Sequence, residues 1–320
     1  MTAVDRSRRR ARRLTWLLRI TVGGTLALLA WGAIIEPQRL VERDHVLALQ
    51  QWPASCDGLR VDVVADTHTG SPYNKLDNLD RLVERLLASD ADAVLLGGDY
   101  VILSVFLGRY IPAGDIAARL RPLTARKPVY AVLGNHDWWK DGEAVSRAFA
   151  SAGVTMIDNR ALPLAFGGCE FWLAGIGDLM EGDPDVAGAF ATIDDADAPV
   201  LVLTHEPDTL PRIPLRTALT IAGHTHGGQM DPWPFRSQPS PFVRMSHRLK
   251  WHVRDDAGRD LFVTPGIGTS ILPMRIGVPP EISRLTLRSA AVVEATTDQA
   301  APPPQRKAGP PARAESVPAG

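Results

Sequence analysis

The chain has 320 residues, 45% hydrophobic and 22% charged, a balance that excludes an intrinsically disordered protein and provides for one large core or two modest ones. Lys plus Arg number 35 against 36 Asp plus Glu, a formal net charge of -1, so no overall basicity points to nucleic acid. Only two cysteines occur, Cys56 and Cys169, which excludes a thiolate zinc site on count.

Residues 6–13, RSRRRARR, carry six arginines, and LTWLLRITVGGTLALLAWGAII, residues 14–35, follows them with Arg19 as its one charge. These 22 residues suffice to cross a hydrocarbon core about 30 Å thick at a rise of about 1.5 Å per residue. A cleaved signal peptide is the competing reading, but its best small-x-small site, Ala30-Trp31-Gly32, is poor, so an uncleaved anchor is preferred. Arg12-Arg13 also fits a twin-arginine export pair, although it is indistinct among so many arginines. The basic segment 1–13 outweighs the mixed EPQRLVERD after the span, so the positive-inside rule leaves the N-terminus in the cytoplasm and the remainder outside.

Residues 36–57 are polar and read as a linker. From residue 58, short apolar runs alternate with amphipathic ones. LRVDVVAD predicts a strand ending at Asp66, and LDNLDRLVERLLAS predicts a helix from the spacing of Leu79, Leu82, Val83, Leu86 and Leu87. DAVLLGGD and KPVYAVLGNHD predict buried strands, and EAVSRAFASAG a helix stopped at Gly153. CEFWLAGIGD, APVLVLTHEP, TALTIAGHTH and RDLFVTPGIG then predict strands in series, which together indicate an α/β layered domain over residues 58–288. Residues 289–320, rich in Pro, Ala and polar groups, read as a disordered tail. The two cysteines read as unpaired small apolar residues, although an oxidising compartment would let them pair.

The chemistry lies at the strand ends. Successive apolar runs close on Asp66 and His68, on Asp99, on Asn135, His136 and Asp137, on His205, and on His224 and His226. Five of the eight histidines fall in these loops. Singly, each has an ordinary explanation as a turn residue, a cap or a packed ring. Together they make a ligand set, because side chains at the carboxyl ends of neighbouring strands converge on one crevice. Imidazole and carboxylate donors suit Mn, Fe or Zn, and a central carboxylate can bridge two ions about 3.5 to 4 Å apart.

In this order, DTH, GGD, GNHD, the histidine of LTHEP and GHTH resemble the calcineurin-like metallophosphoesterase family. LGGDY, GHTHGGQ and TPGIGTSILPMRIGVPPEI are similar to its membrane-associated bacterial branch of small phosphodiesterases. The resemblance covers residues 58–288 and implies a four-layer α/β/β/α sandwich with a dinuclear site between its two sheets. The N-terminal transmembrane helix and its charge bias place this catalytic domain, as an expectation, on the periplasmic side of a bacterial inner membrane. The resemblance implies two divalent metal ions, the first held by Asp66, His68, Asp99 and His226, the second by Asp99, Asn135, His205 and His224. His136 would stand beside the leaving group, and no protein nucleophile is needed. Arg275 is a candidate substrate-phosphate contact on resemblance alone.

Two departures from the family pattern stand out. Ile102 occupies the place of an acidic residue that would orient His136, and Glu206 adds a negative charge near the second ion. The apolar stretches at residues 100–112 and 232–253 read either as a lip meeting membrane or an acylated substrate, or as a packed helix and a self-contained lid. The expected activity is hydrolysis of a phosphodiester or pyrophosphate bond in a lipid-linked or envelope substrate, with no nucleic-acid partner. The alternatives are a broad phosphodiesterase of soluble substrates merely tethered to the membrane, and a catalytically degenerate metal-binding module.

Overall fold

The computed structural model describes residues 3–103, 105–231 and 250–300. α1 (Ala3–Ala30) runs through the arginines and into the apolar segment, which finishes in a π-helical turn, Trp31–Ile35, and a 3-10 turn, Glu36–Gln38. The continuous helical stretch Ser7–Gln38 is long and apolar enough to cross a membrane, and it is almost wholly exposed on the protein.

Two six-stranded mixed sheets follow. The first has the order β1 (Val41–Leu49), β12 (Glu281–Ser289), β2 (Leu59–Val64), β3 (Ala93–Leu96), β4 (Val129–Ala131) and β5 (Thr155–Met156). The second has β10 (Trp251–Arg254), β11 (Asp260–Val263), β9 (Thr217–Ala222), β8 (Val200–Leu203), β7 (Cys169–Gly175) and β6 (Arg160–Phe166). Within the first sheet β2, β3, β4 and β5 are parallel neighbours, and within the second β7, β8, β9 and β11 are.

Both faces of the central strands are buried, so their sequences are continuously apolar, and the period of two assigns alternate residues to different layers. Ala93 and Leu95 of β3 meet Leu201, Leu203, Leu219 and Ile221 of the second sheet, whereas Val94 and Leu96 turn to the helices. Those helices are α2 (Leu76–Ala88), α3 (Ala113–Thr124) and α4 (Asn135–Ser151). α2 forms because Leu79, Leu82, Val83 and Leu86 recur at helical spacing without Gly or Pro, and all four are buried against the sheet. On the far side, Val200 and Val202 of β8 pack with Ala189 of α5 (Val186–Ala191). The layers therefore run helix, sheet, sheet, helix, as the family resemblance implies.

Four local expectations are corrected. The segment 36–57 does more than link: β1 pairs in parallel with β12 along nine residues and buries Leu47 and Leu49. Its alternation was hidden because an edge strand of charged residues buries only its last turn of side chains. The expected tail begins with a helix, α6 (Ala290–Ala300). Residues 100–103 and 105–112 are irregular rather than a packed helix, up to the start of α3. Cys56 and Cys169 are not free thiols but form a disulfide. Of the second apolar stretch, residues 232–249 lie outside the described residues.

The disulfide joins the turn before β2 to the first residue of β7, stapling the two sheets across a sequence separation of 113. In the chain-entropy account a cross-link of that span stabilises by about 4 to 5 kcal/mol. Replacing both cysteines by alanine is therefore expected to lower the melting temperature of the full-length protein by roughly 10 °C. Calorimetry in detergent checks this, and an unchanged midpoint would refute the stapling role.

Candidate metal centre

The loops after β2, β3, β4, β8 and β9 meet at one end of the two sheets. A side chain at the end of a strand ordinarily points above or below its own sheet, so reaching the gap between the sheets requires the chain to bend. Asp66, His68, Asp99, His224 and His226 all take positive φ, from 38° to 67°. This left-handed conformation is uncommon for residues with a Cβ, and it clusters where a surrounding structure enforces it. Glycines make room for the bends. A Cβ on Gly223 would lie 2.6 Å from Ala65 Cβ and 2.8 Å from Asp66 Oδ2, so no larger residue fits between these two loops.

The result brings all the histidines of the predicted set together. His68 Nε2 and His226 Nε2 are 3.1 Å apart, and His226 Nε2 lies 3.7 Å from Asp66 Oδ1. On the other side His205 Nε2 is 3.2 Å from His224 Nδ1. Asp99 Oδ2 stands between the two sets, 3.5 Å from His68 Nε2 and 3.3 Å from His205 Nε2. Donors about 2.0 to 2.2 Å from one ion, at right-angled or tetrahedral spacing, are separated by roughly 3.0 to 3.6 Å. The buried Asn135 Oδ1 has no hydrogen-bond partner among the described residues, as a carbonyl oxygen reserved for a cation would not. Asp66, His68 and His226 could hold one ion, and Asp99, His205 and His224 another.

Supporting contacts fix these rings and carboxylates. His205 Nδ1 donates to Gly97 O at 2.7 Å, which leaves Nε2 as the ring atom that faces the site. Both oxygens of Asp66 accept from His224 N, at 3.0 and 3.1 Å. Asp137 was noted in the sequence only as part of GNHD, yet it organises the bridge. Its carboxylate accepts the backbone N–H groups of Asp99, Tyr100, Val101 and Gly134 at 2.8 to 3.1 Å.

Electrostatics follow from crowding in a dry pocket. Burial pushes Asp66 up to about 7, partly opposed by the charge of His205. Burial works the same way on Asp99, but His205, His68 and His136 together hold it below the usual carboxylate range. Burial lowers His68 to about 4, and burial with the neighbouring His68 and Arg275 takes His226 well down. Neutral imidazoles and ionised carboxylates are the forms that ligate metal.

His136 sits at the rim, its backbone N–H donating to Asp99 Oδ1 at 2.8 Å and its ring 4.7 Å from that of His68. Ile102 is a core residue, and His136 Nδ1 has no hydrogen-bond partner among the described residues. Burial lowers the His136 pKa, opposed by the charges of Asp99 and Asp178. Asp178, which the sequence reading passed over, is fully buried in the loop after β7, with Oδ1 accepting from Met180 N and Glu181 N. Glu206 lies close beside it, with Oε2 accepting from Leu179 N at 2.8 Å. Burial pushes Glu206 up to about 8, opposed by the charge of His205 and reinforced by the neighbouring Asp178.

Arg275, the candidate phosphate contact, points inward rather than to the surface. It is fully buried, and its guanidinium donates to the carbonyls of Gly268, Val278 and Pro265, because a cation inside the protein must satisfy its donors there. Its Nη2 lies 3.4 Å from His226 Nδ1, so it backs the ligand set from behind.

Residues 59–228 match the family described as calcineurin-like phosphoesterase. The chain is 28% identical over 275 residues to the uncharacterised metallophosphoesterase YkuE of Bacillus subtilis, covering 84% of this chain and 92% of that protein. It is 32% identical over 222 residues to phosphodiesterase YaeI of Escherichia coli, covering 65% of this chain and 77% of that protein. A transmembrane protein with metallophosphoesterase domain from Danio rerio is 26% identical, covering 86% of this chain and 63% of its own length.

Asp137 supplies a test of how the centre is built. Asp137→Asn would turn an amide NH2 toward backbone N–H donors, leaving them unpaired in a buried place. The expected cost is about 2 to 4 kcal/mol of stability together with weaker metal binding. Denaturant melts and isothermal titration with Mn check both, and an unaltered bridge would leave each at the wild-type value.

Proposed function

Because the chain belongs to the calcineurin-like phosphoesterase family and is a metal-dependent phosphoester hydrolase, we propose that it is a membrane-anchored phosphodiesterase or pyrophosphate hydrolase acting through two divalent ions on a lipid-linked envelope substrate. The observation that carries the dinuclear reading is Asp99 Oδ2, placed within 3.5 Å of a histidine nitrogen from each set.

Asp66, His68, Asp99 and His226 would hold the first ion, and Asp99, Asn135, His205 and His224 the second, with Mn, Fe or Zn matching the donor types. Such ions supply Lewis-acid polarisation of the phosphoryl oxygens and lower the pKa of water. The chain's own contribution is placement. Left-handed backbone fixes five of the donors, and His205 Nδ1 is locked on Gly97 O. His136, fixed through its N–H on Asp99, stands at the rim where a leaving oxygen would develop charge, as proton donor or as positive neighbour. The buried Asp178 acts on it electrostatically in place of the acid missing at residue 102.

Anchoring is supported by the exposed apolar helix and by the naming of a relative as a transmembrane protein. An extracytoplasmic side of the bacterial inner membrane is supported by the arginines before the span and by the disulfide, since such bonds persist in oxidising compartments.

The reading predicts that the full-length protein in detergent, stripped and reloaded with Mn, Zn or Fe, hydrolyses bis(p-nitrophenyl) phosphate. Asp99→Asn and His136→Ala should each lower kcat by at least about 100-fold, with ion stoichiometry falling only in the first. A wild-type protein that binds two ions yet turns over neither this diester nor the monoester would be a degenerate metal-binding module.

A further inference from the structure

Two loops leave the centre with large apolar side chains in solvent. The loop that follows Asp99 buries Tyr100, Val101 and Ile102, then presents Phe106 at 65% and Leu107 at 77% exposure. The loop before Arg275 presents Ile271 at 74% and Leu272 at 46%. These are one surface, because Phe106 N donates to Ile271 O at 3.1 Å. They also border the centre: the Gln229 side chain, three residues beyond His226, bonds Ser270 N and the carbonyls of Ser270 and Leu272. Leu107 and Ile271 take positive φ, at 62° and 61°, so backbone strain is spent on holding apolar tips outward.

What covers this surface follows from where the anchor ends. Arg275 N donates to Gly32 O at 2.9 Å, and Gly277 N donates to Glu36 Oε2 at 3.0 Å. A Cβ on Gly32 would lie 2.5 Å from Ile276 Cγ1, so the last turn of the apolar segment is pressed onto this loop. Trp31 and Arg39, whose guanidinium lies 5.6 Å from the Trp31 ring, mark that point with side chains typical of a membrane boundary. Ile271 is four residues from Arg275, at most about 14 Å even if extended.

Resting on the anchored reading above, we propose that Leu103, Phe106, Leu107, Ile271 and Leu272 form a lip that lies in the interfacial layer of the bilayer crossed by α1, opening the centre toward phosphate groups at the membrane surface. Single exposed leucines are ordinary on soluble proteins. A contiguous set beside a membrane-spanning helix, at the mouth of a hydrolytic centre, is what an interfacial enzyme needs.

The test uses the full-length protein in phosphatidylethanolamine and phosphatidylglycerol nanodiscs. Leu107→Cys carries an environment-sensitive fluorophore, and Asp197→Cys, in the loop before β8 at the opposite end of the sheet, carries the same label as control. Spin-labelled lipids should quench the label at 107 at least fivefold more than that at 197. In parallel, a Phe106→Ser, Leu107→Ser, Ile271→Ser variant should keep soluble diester turnover within twofold while losing at least tenfold on a phosphodiester embedded in the bilayer. Equal quenching at the two positions overturns the proposal. So does protection of 107 from aqueous iodide without lipid quenching, which would assign the lip to a protein partner, and so does an equal loss on both substrates. Selective quenching in a protein that hydrolyses no bilayer ester upholds the lip and refutes the lipid-linked substrate instead.

Discussion

A ligand offered at the end of a β-strand faces a geometric problem, since the strand's own pleat sends its side chains above or below the sheet while the ion must sit between two sheets. Here the chain resolves it by bending into left-handed backbone at Asp66, His68, Asp99, His224 and His226. Each bend costs on the order of 1 to 3 kcal/mol, so a surrounding structure must hold it. Asp137 does this for the turn at Asp99 with four backbone N–H groups, and Gly223 does it for His224 by letting two loops touch. The core between the sheets, built on Leu95, Leu201, Leu203 and Ile221, is the rigid base against which these bends are held.

The same arrangement concentrates ionisable groups where water is scarce. His68, Asp66, Asp99, His205 and His226 are all at or near full burial. Each charged form is costly there unless compensated, and the compensation is mutual: Asp99 is kept ionised by the imidazoles around it, and His205 is raised against its own burial by Asp99. A cation between them would replace these internal compromises with direct coordination, so metal binding would relieve the crowding that burial imposes.

Much of this was legible in the sequence. The candidate ligand residues stood out because every one follows an apolar run, and an α/β layered domain because buried parallel strands read as unbroken apolar segments, while the four-layer order came with the family resemblance. What escaped was carried by long-range pairing. β1 is a mostly exposed edge strand whose partner β12 lies more than 230 residues away, so no local pattern announces it. Cys56 and Cys169 meet only because two separate sheets bring them together. Asp178 and Asp137 act through backbone N–H groups, a role that residue type alone does not distinguish from an ordinary turn. Arg275 is the reverse case, where a cation in a motif that reads as a phosphate contact is fully buried, with each of its three guanidinium nitrogens donating to a carbonyl oxygen.

Arg275 also ties the two halves of the molecule's logic together. Its backbone N–H holds Gly32 at the end of the apolar helix, while its side chain clasps Gly268 and Pro265 and backs His226. The end of the apolar helix is thereby held to the loop behind His226, with Gly277 N on Glu36 Oε2 as a second tie, rather than joined to it by a flexible tether. The β1 strand that follows the anchor, hydrogen-bonded along its length to β12, removes the remaining slack. If the apolar helix is a membrane anchor as proposed, a hydrolase restrained in this way would present its mouth at a constant depth, and the anchor would contribute to substrate selection as well as to location.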